Sequence, residues 1–369
     1  MRVTSIKIQN FKRFETLELK FENKLLQETS QRFLVLGDNG TGKTTLLQAI
    51  ALPLAIASRQ IRSVANFDWV GFLPARYRNW GSPTIELWVE FDQEEIEVTQ
   101  EMAERWKKTM PETYWINRTF TLPGSSRNVK LTLEGEYCHT ERPEEYFQFH
   151  GRYYAQQLIK TDPGARNYFN RLPGVFWFDQ FRNLGTNPSW ASINGDVKES
   201  TDTTGRVSYD FGVERLRTHL NGWKLAQQGN RVYRYDYLFE LEKLYKRIFP
   251  GRSFAGVEMM PGIESPTSAD FFFLFNDGHR TYDLVEMSAG EQSIFPILYE
   301  FVRLQISKSI VLIDEVDLNL HPSAGQLFVA QLPKIEPTCQ FILTTHSEAV
   351  SEIISNEETY RLPGGALCL

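Results

Sequence analysis

Apolar and polar positions alternate from the first residues. Val3, Ile6, Ile8 and Phe11, then Leu17, Leu19 and Phe21, predict two strands joined by a turn around Lys12-Arg13-Phe14. Phe33-Leu34-Val35-Leu36 is an unbroken apolar run ending in glycine, the pattern of a strand covered on both faces. A helix is predicted from about Gly42 to about Leu52, with Pro53 stopping or kinking it. Ile85, Leu87, Val89 and Phe91 alternate, and residues 115–120 and 129–133 read as further strands of a β-rich layer. Residues 175–178, 310–313 and 341–343 read as buried strands. Leu238, Leu241, Tyr245 and Ile248 have helical spacing, closed by Pro250-Gly251. Residues 271–275 and 282–284, around Asn276-Asp277-Gly278, read as a hairpin. Residues 183–209, rich in Gly, Ser, Thr and Asn, read as a long loop, and residues 141–171 give no clear period. There is no internal repeat and no sustained heptad run, so no long coiled coil is expected.

The chain has 369 residues, enough for one large or two moderate domains. A hydrophobic share of 41% with 23% charged residues points to a globular fold. A formal net charge of -6 excludes a surface that is basic all over, while leaving room for a local basic patch. Cys138, Cys339 and Cys368 lie far apart, with neither metal-ligand spacing nor a disulfide framework. The N-terminus lacks the apolar core of a signal peptide, and no apolar run is long enough to span a bilayer. A soluble cytoplasmic protein with no membrane partner is therefore expected.

Four motifs carry the candidate chemistry. Gly37-Asp38-Asn39-Gly40-Thr41-Gly42-Lys43-Thr44 follows a predicted strand and opens a predicted helix, the context of a P-loop. Its glycines let backbone N–H groups close around phosphates, and the helix N-terminus adds positive dipole. Asn39, Gly40, Thr41, Gly42, Lys43, Thr44 and Thr45 are the candidate ATP cradle. In it Lys43 reaches the β- and γ-phosphates and Thr44 ligates Mg²⁺. Second, the strand at 310–313 delivers Asp314 and Glu315 to its carboxyl end. Asp314 is the candidate Mg²⁺ ligand and Glu315 the candidate general base. Third, Ser288 and Glu291 in Met287-Ser288-Ala289-Gly290-Glu291-Gln292 form a capping box, opening a helix that Pro296 should kink. The same helix start could also face a phosphate. Fourth, Leu343-Thr344-Thr345-His346-Ser347 ends a strand expected to lie beside the Asp314-Glu315 strand. From there His346 could reach a γ-phosphate or an attacking water.

In this order the motifs resemble an ABC-type ATPase head of the RecF, Rad50 and SMC group. The resemblance is closer to the short bacterial ATPases related to the OLD-nuclease ATPase domain. Residues 6–14 resemble that group's first strand, and 287–292 its signature, with Ala289 where many members have glycine. Asp314 to Pro322 resembles its Walker B and D-loop run, with His321-Pro322 where SMC and Rad50 proteins have an aspartate; that departure favours the OLD-like branch. The match spans residues 1–57 and 238–351 well and the middle poorly.

The resemblance implies an α/β fold with a mixed central sheet, an antiparallel β layer and a helical lobe. It implies the divisions 1–83, 84–175, 176–250 and 251–369. It places a Q-loop glutamine, for which Gln180 is the candidate, at the nucleotide and its metal, and gives Lys12 or Arg13 a place near adenine or ribose. It implies a homodimer that sandwiches two ATP molecules. Lys43, Asp314, Glu315 and His346 of one protomer would face Ser288, Gly290 and Glu291 of the other.

Three functional readings follow. The first is an ATPase motor or switch in DNA repair or anti-phage defence, working with a separate effector such as a nuclease or toxin. The sequence after Ser347 is too short for a nuclease domain. The second is a nucleotide-gated regulator that binds only protein. Arg59, Arg62, Arg76 and Arg78, interleaved with Trp69, Tyr77 and Trp80, are a candidate DNA contact, weighed against ordinary solvated arginines. The third, a membrane transporter's nucleotide-binding subunit, is disfavoured by the first strand and by His321-Pro322.

Overall fold

The computed structural model describes residues 1–116, 118–185, 209–228 and 235–363. They fall into two compact units: Met1–Gln180 with Ile306–Val316 and the chain from Leu332, and Phe181–Gln305 with Asp317–Gln331. Most of the loop read over residues 183–209, and Cys368, lie outside the described residues.

In the first unit, five strands among the described residues form a parallel sheet. Their order is Thr359–Arg361, Arg32–Leu36, Gln340–Thr345, Ile310–Ile313, Val175–Phe178. The last three are buried at every position, which is why they read as unbroken apolar runs. Antiparallel pairing is confined to separate sheets, so the central sheet is parallel rather than mixed across these strands. The larger antiparallel sheet of the unit has the order Phe14–Lys20, Arg2–Phe11, Thr84–Glu90, Asn128–Glu134, Tyr137–Thr140. Its register sets Ile6 beside Leu19 and Leu87, and Ile8 beside Leu17 and Ile85, so one face is apolar.

The helix Lys43–Ala57 packs against strands of both sheets and buries every residue but Thr44. Of the two effects expected of Pro53, a stop or a kink, the stop does not occur. The helix runs four residues further, to a left-handed turn at Arg59. An interior proline costs about 3 kcal/mol. Burying Leu54 and Ile56 beyond it returns about 1.5–3 kcal/mol each, which offsets the loss.

The strand expected at 115–120 is absent among the described residues. Glu112–Trp115 is instead a 3-10 turn, and Tyr114 and Trp115 pack edge-on against Trp106 of the helix Gln93–Thr109. Clustering around one indole displaced strand pairing there. The unassigned stretch 141–171 supplies the helix Gly151–Ile159, which shares this core through Tyr154 and Leu158.

In the second unit, the hairpin of Phe271–Asn276 and Thr281–Asp283 forms as read, with Ser253–Met259 along its other edge. Helices Tyr209–Gln228, Tyr237–Ile248 and Ala289–Arg303 belong to the same unit. Tyr245, Phe254, Phe275 and Phe295 make its aromatic centre. The helix Ala289–Arg303 continues through Pro296.

Candidate active site

Parallel pairing brings four motif segments to one edge of the central sheet. Thr345 lies opposite Leu36, and Ile313 opposite both Leu343 and Phe178. The P-loop, Asp314-Glu315, His346 and Asp179-Gln180 therefore all leave at the carboxyl ends of neighbouring strands, where α/β sheets bind ligands. Gln180 sits two residues beyond its strand, partly exposed.

Local sterics shape the phosphate loop. A Cβ on Gly37 would lie 2.5 Å from Thr41 Oγ1. Gly42 has φ +107°, and a Cβ there would lie 2.9 Å from the Phe14 ring. Neither position accepts a side chain. Asp38 O accepts from Thr41 Oγ1 at 2.9 Å, tightening the turn. The helix that follows has no acidic residue in its first turn and no side-chain cap, so its N-terminal N–H groups suit an anion.

Lys43 Nζ donates to Gly37 O at 2.8 Å and to Asp38 O at 3.2 Å, and lies 3.3 Å from Glu315 Oε1. His346 Nδ1 is 2.8 Å from Glu315 Oε2, and its ring is 58% exposed. Thr44 Oγ1 donates to Asp314 Oδ2 at 2.7 Å, and Asp314 is fully buried. Among the described residues no group of three or more His, Cys, Asp or Glu could hold a metal ion. One hydroxyl and one carboxylate side by side fit Mg²⁺, a hard cation that keeps waters and takes phosphate oxygens rather than needing a protein cage.

In the second unit, Ser288 caps the helix Ala289–Arg303. Its N–H donates to Glu291 Oε2 at 3.0 Å, and Glu291 N–H returns to Ser288 Oγ at 3.4 Å. Ser288 is exposed, whereas Glu291 is 2% exposed. Glu291 also accepts from the Tyr245 and Tyr282 hydroxyls, the latter at 2.8 Å, and faces Arg252 Nε at 3.3 Å. Burial pushes its carboxyl up, but the hydrogen bonds from Ser288, Tyr245 and Tyr282 outweigh that and hold it below the usual glutamate value. Its carboxylate is spent inside its own unit, orienting Ser288. Gly290 lies against Leu320 and Asn319 O, which a Cβ would approach to 3.1 and 3.2 Å.

A cavity of about 770 Å³ adjoins the phosphate loop, lined by Lys12, Arg13, Phe14, Phe72, Tyr77 and Trp80 among others. Arg13 Nη1 donates to Gly40 O, tying the cavity to the loop. Sequence reasoning singled out the cations and missed Phe14 and Phe72. The basic stretch fares differently. Trp69 is buried, stacked on Trp177 at 6.1 Å, and Tyr77 is buried, donating to Gly135 O at 2.7 Å. Of the three interleaved aromatics only Trp80, 69% exposed, faces outward, so no stacking platform forms.

Two family models cover most of the chain. One, "AAA ATPase domain", matches residues 1–142; the other, "AAA domain, putative AbiEii toxin, Type IV TA system", matches residues 175–352. The chain is 33% identical over 397 residues to the "Retron Vc95 probable ATPase" of Vibrio cholerae serotype O1 biovar El Tor, covering 97% of this chain and 73% of that protein. The chain belongs to this family of AAA-type ATPases. It is also 22% identical over 417 residues to the "Retron Ec83 probable ATPase" of Escherichia coli, across 99% of this chain and 72% of the relative. It is 23% identical over 379 residues to "Septu protein PtuA" of Bacillus mycoides (strain KBAB4), across 98% of this chain but 42% of that protein. Among solved structures, the SmcHead bound to the C-winged helix domain of ScpA aligns with a TM-score of 0.47 at 12% identity, covering 96% of this chain and 92% of that one. No described helix of this AAA-family chain is long and apolar enough to cross a membrane.

Proposed function

We propose that the chain binds and hydrolyses ATP with Mg²⁺. The observation that carries this is the convergence at one sheet edge of three contacts, Lys43 with Glu315, Thr44 with Asp314, and His346 with Glu315. The N–H groups of residues 39–45 and Lys43 receive the phosphates. Lys12 and Arg13, in the adjoining cavity, face the base and sugar. Thr44, Asp314 and Gln180 hold Mg²⁺, which neutralises phosphate charge when bound. Glu315 takes the proton of the attacking water, and His346, hydrogen-bonded to it, holds it in place.

The reading extends to a pair of protomers. Ser288 and Gly290 sit at an exposed helix start, fit to complete a partner's phosphate site rather than their own. ATP then closes a homodimer and hydrolysis opens it. The relatives named from retrons and from a Septu system support a role in anti-phage defence beside a separate effector, a nuclease or a toxin. Trp69 and Tyr77 lie in the core, which favours a protein effector over direct DNA contact.

The test is the mass of Glu315→Gln with ATP and Mg²⁺ by light scattering. The reading predicts a dimer that ADP does not support. A monomer under both conditions overturns the sandwich.

A further inference from the structure

One buried side chain joins the two carboxylate residues, and the motifs do not account for it. Thr344 has no exposed surface. Its Oγ1 lies 2.6 Å from Asp314 Oδ1 and 2.9 Å from the Glu315 backbone nitrogen. A backbone N–H only donates, so the hydroxyl accepts from Glu315 and gives its single proton to Asp314. The second Asp314 oxygen accepts from Thr44. Both oxygens of a fully buried carboxylate are thereby fixed in direction.

The same residue clamps the next turn of chain. Glu315 has φ +46°, in the left-handed region, which costs a residue with a side chain about 1–2 kcal/mol. Such a bend persists only where the surroundings hold it. Here the Thr344 hydroxyl takes the Glu315 N–H, and the Thr344 carbonyl takes the Val316 N–H at 2.9 Å. Both amides that flank the bend end on one residue of the neighbouring strand. The bend aims Glu315 back toward Lys43 and His346.

We infer that Thr344 is a positioning residue that fixes the metal-facing carboxylate of Asp314 and the water-facing carboxylate of Glu315 relative to each other. The inference rests on the ATPase reading above. Thr344 is fully buried and acts through its two partners.

Thr344→Val keeps the branched shape and loses both hydroxyl bonds, Thr344→Ala loses them without adding a methyl, and Thr344→Ser keeps them. For Val and Ala, kcat falls about 10- to 100-fold while the KM for ATP stays near wild type, and Ser restores kcat. A second readout needs neither nucleotide nor metal. In the unliganded protein the Glu315 amide exchanges with solvent about 10-fold faster in Thr344→Val or Thr344→Ala, is protected again in Thr344→Ser, and the Ile342 and Leu343 amides stay protected throughout. Wild-type kcat with a protected Glu315 amide in either folded hydroxyl-free variant overturns the inference, as does a Ser variant as slow as Val. If wild-type protein releases no phosphate, the ATPase reading falls instead, and the exchange measurement alone decides for or against Thr344.

Discussion

The Lys43 ammonium lies 3.3 Å from the Glu315 carboxylate, with 5% and 12% of the two side chains exposed. One comes from the phosphate loop and the other from the end of the Ile310–Ile313 strand. On the reading proposed above, Lys43 serves phosphate and Glu315 serves water, and the two side chains hold each other here. On that reading ATP phosphates compete with Glu315 for Lys43 and release Glu315 to the water. Lys43→Ala therefore weakens ATP binding about 10- to 100-fold, as loss of a hydrogen bond to a charged group does. Calorimetric titration with ATP checks this, and an unchanged Kd removes Lys43 from the phosphate site.

Ser288 gives a prediction of the opposite kind. Ser288→Ala removes a helix cap and costs about 1 kcal/mol of stability, read as a lower urea midpoint. If Ser288 completes a partner's site as proposed, ATP affinity of the single chain stays near wild type while phosphate release falls. An ATP affinity lost as strongly as in Lys43→Ala contradicts the composite arrangement.

Metal dependence follows from the donor set. With Thr44 Oγ1 and Asp314 Oδ2 2.7 Å apart, chelation with EDTA stops phosphate release, and added Mg²⁺ restores it. Asp314→Asn raises the Mg²⁺ concentration needed for half-maximal release. A wild-type Mg²⁺ response in that variant argues against Asp314 as the ligand.

Much of this was legible from spacing. Phe33–Leu36, Ile310–Ile313 and Val175–Phe178 are buried on both faces, so each read as an uninterrupted apolar run, and their order with Gln340–Thr345 put the motifs at one edge. The capping box read from Ser288 and Glu291 also formed. The misses have tertiary causes. Pro53 obeys the packing of two sheets rather than its own backbone preference. Trp115 follows Trp106 of the preceding helix, a packing preference that strand alternation does not register. Nothing local predicts Tyr245 and Tyr282 closing over Glu291. Thr344 lies within the fourth motif but carried no role there, since a threonine in a strand is ordinary until its neighbour is known.

Outside the site, His150 sets a pH dependence. It is 1% exposed among the rings of Tyr146, Phe147, Tyr153 and Tyr154. Burial, with the positive Arg59 nearby, pushes it down to about 3. The unfolded chain takes up this proton near pH 6.5 and the folded one does not, so stability falls as pH drops below 6.5. The loss reaches about 2 kcal/mol by pH 5. Denaturant midpoints from pH 7.5 to 5 check this, and His150→Gln flattens the slope. An equal slope in that variant assigns the effect to other groups.

The most direct measurement compares phosphate release by wild-type protein and Glu315→Gln at matched ATP occupancy, with Mg²⁺ present. The account predicts that the variant binds ATP as well as wild type and hydrolyses it about 100- to 10,000-fold more slowly, the range for loss of a general base. Equal release from equally occupied sites would contradict it, because Glu315 would then hold Lys43 without activating water.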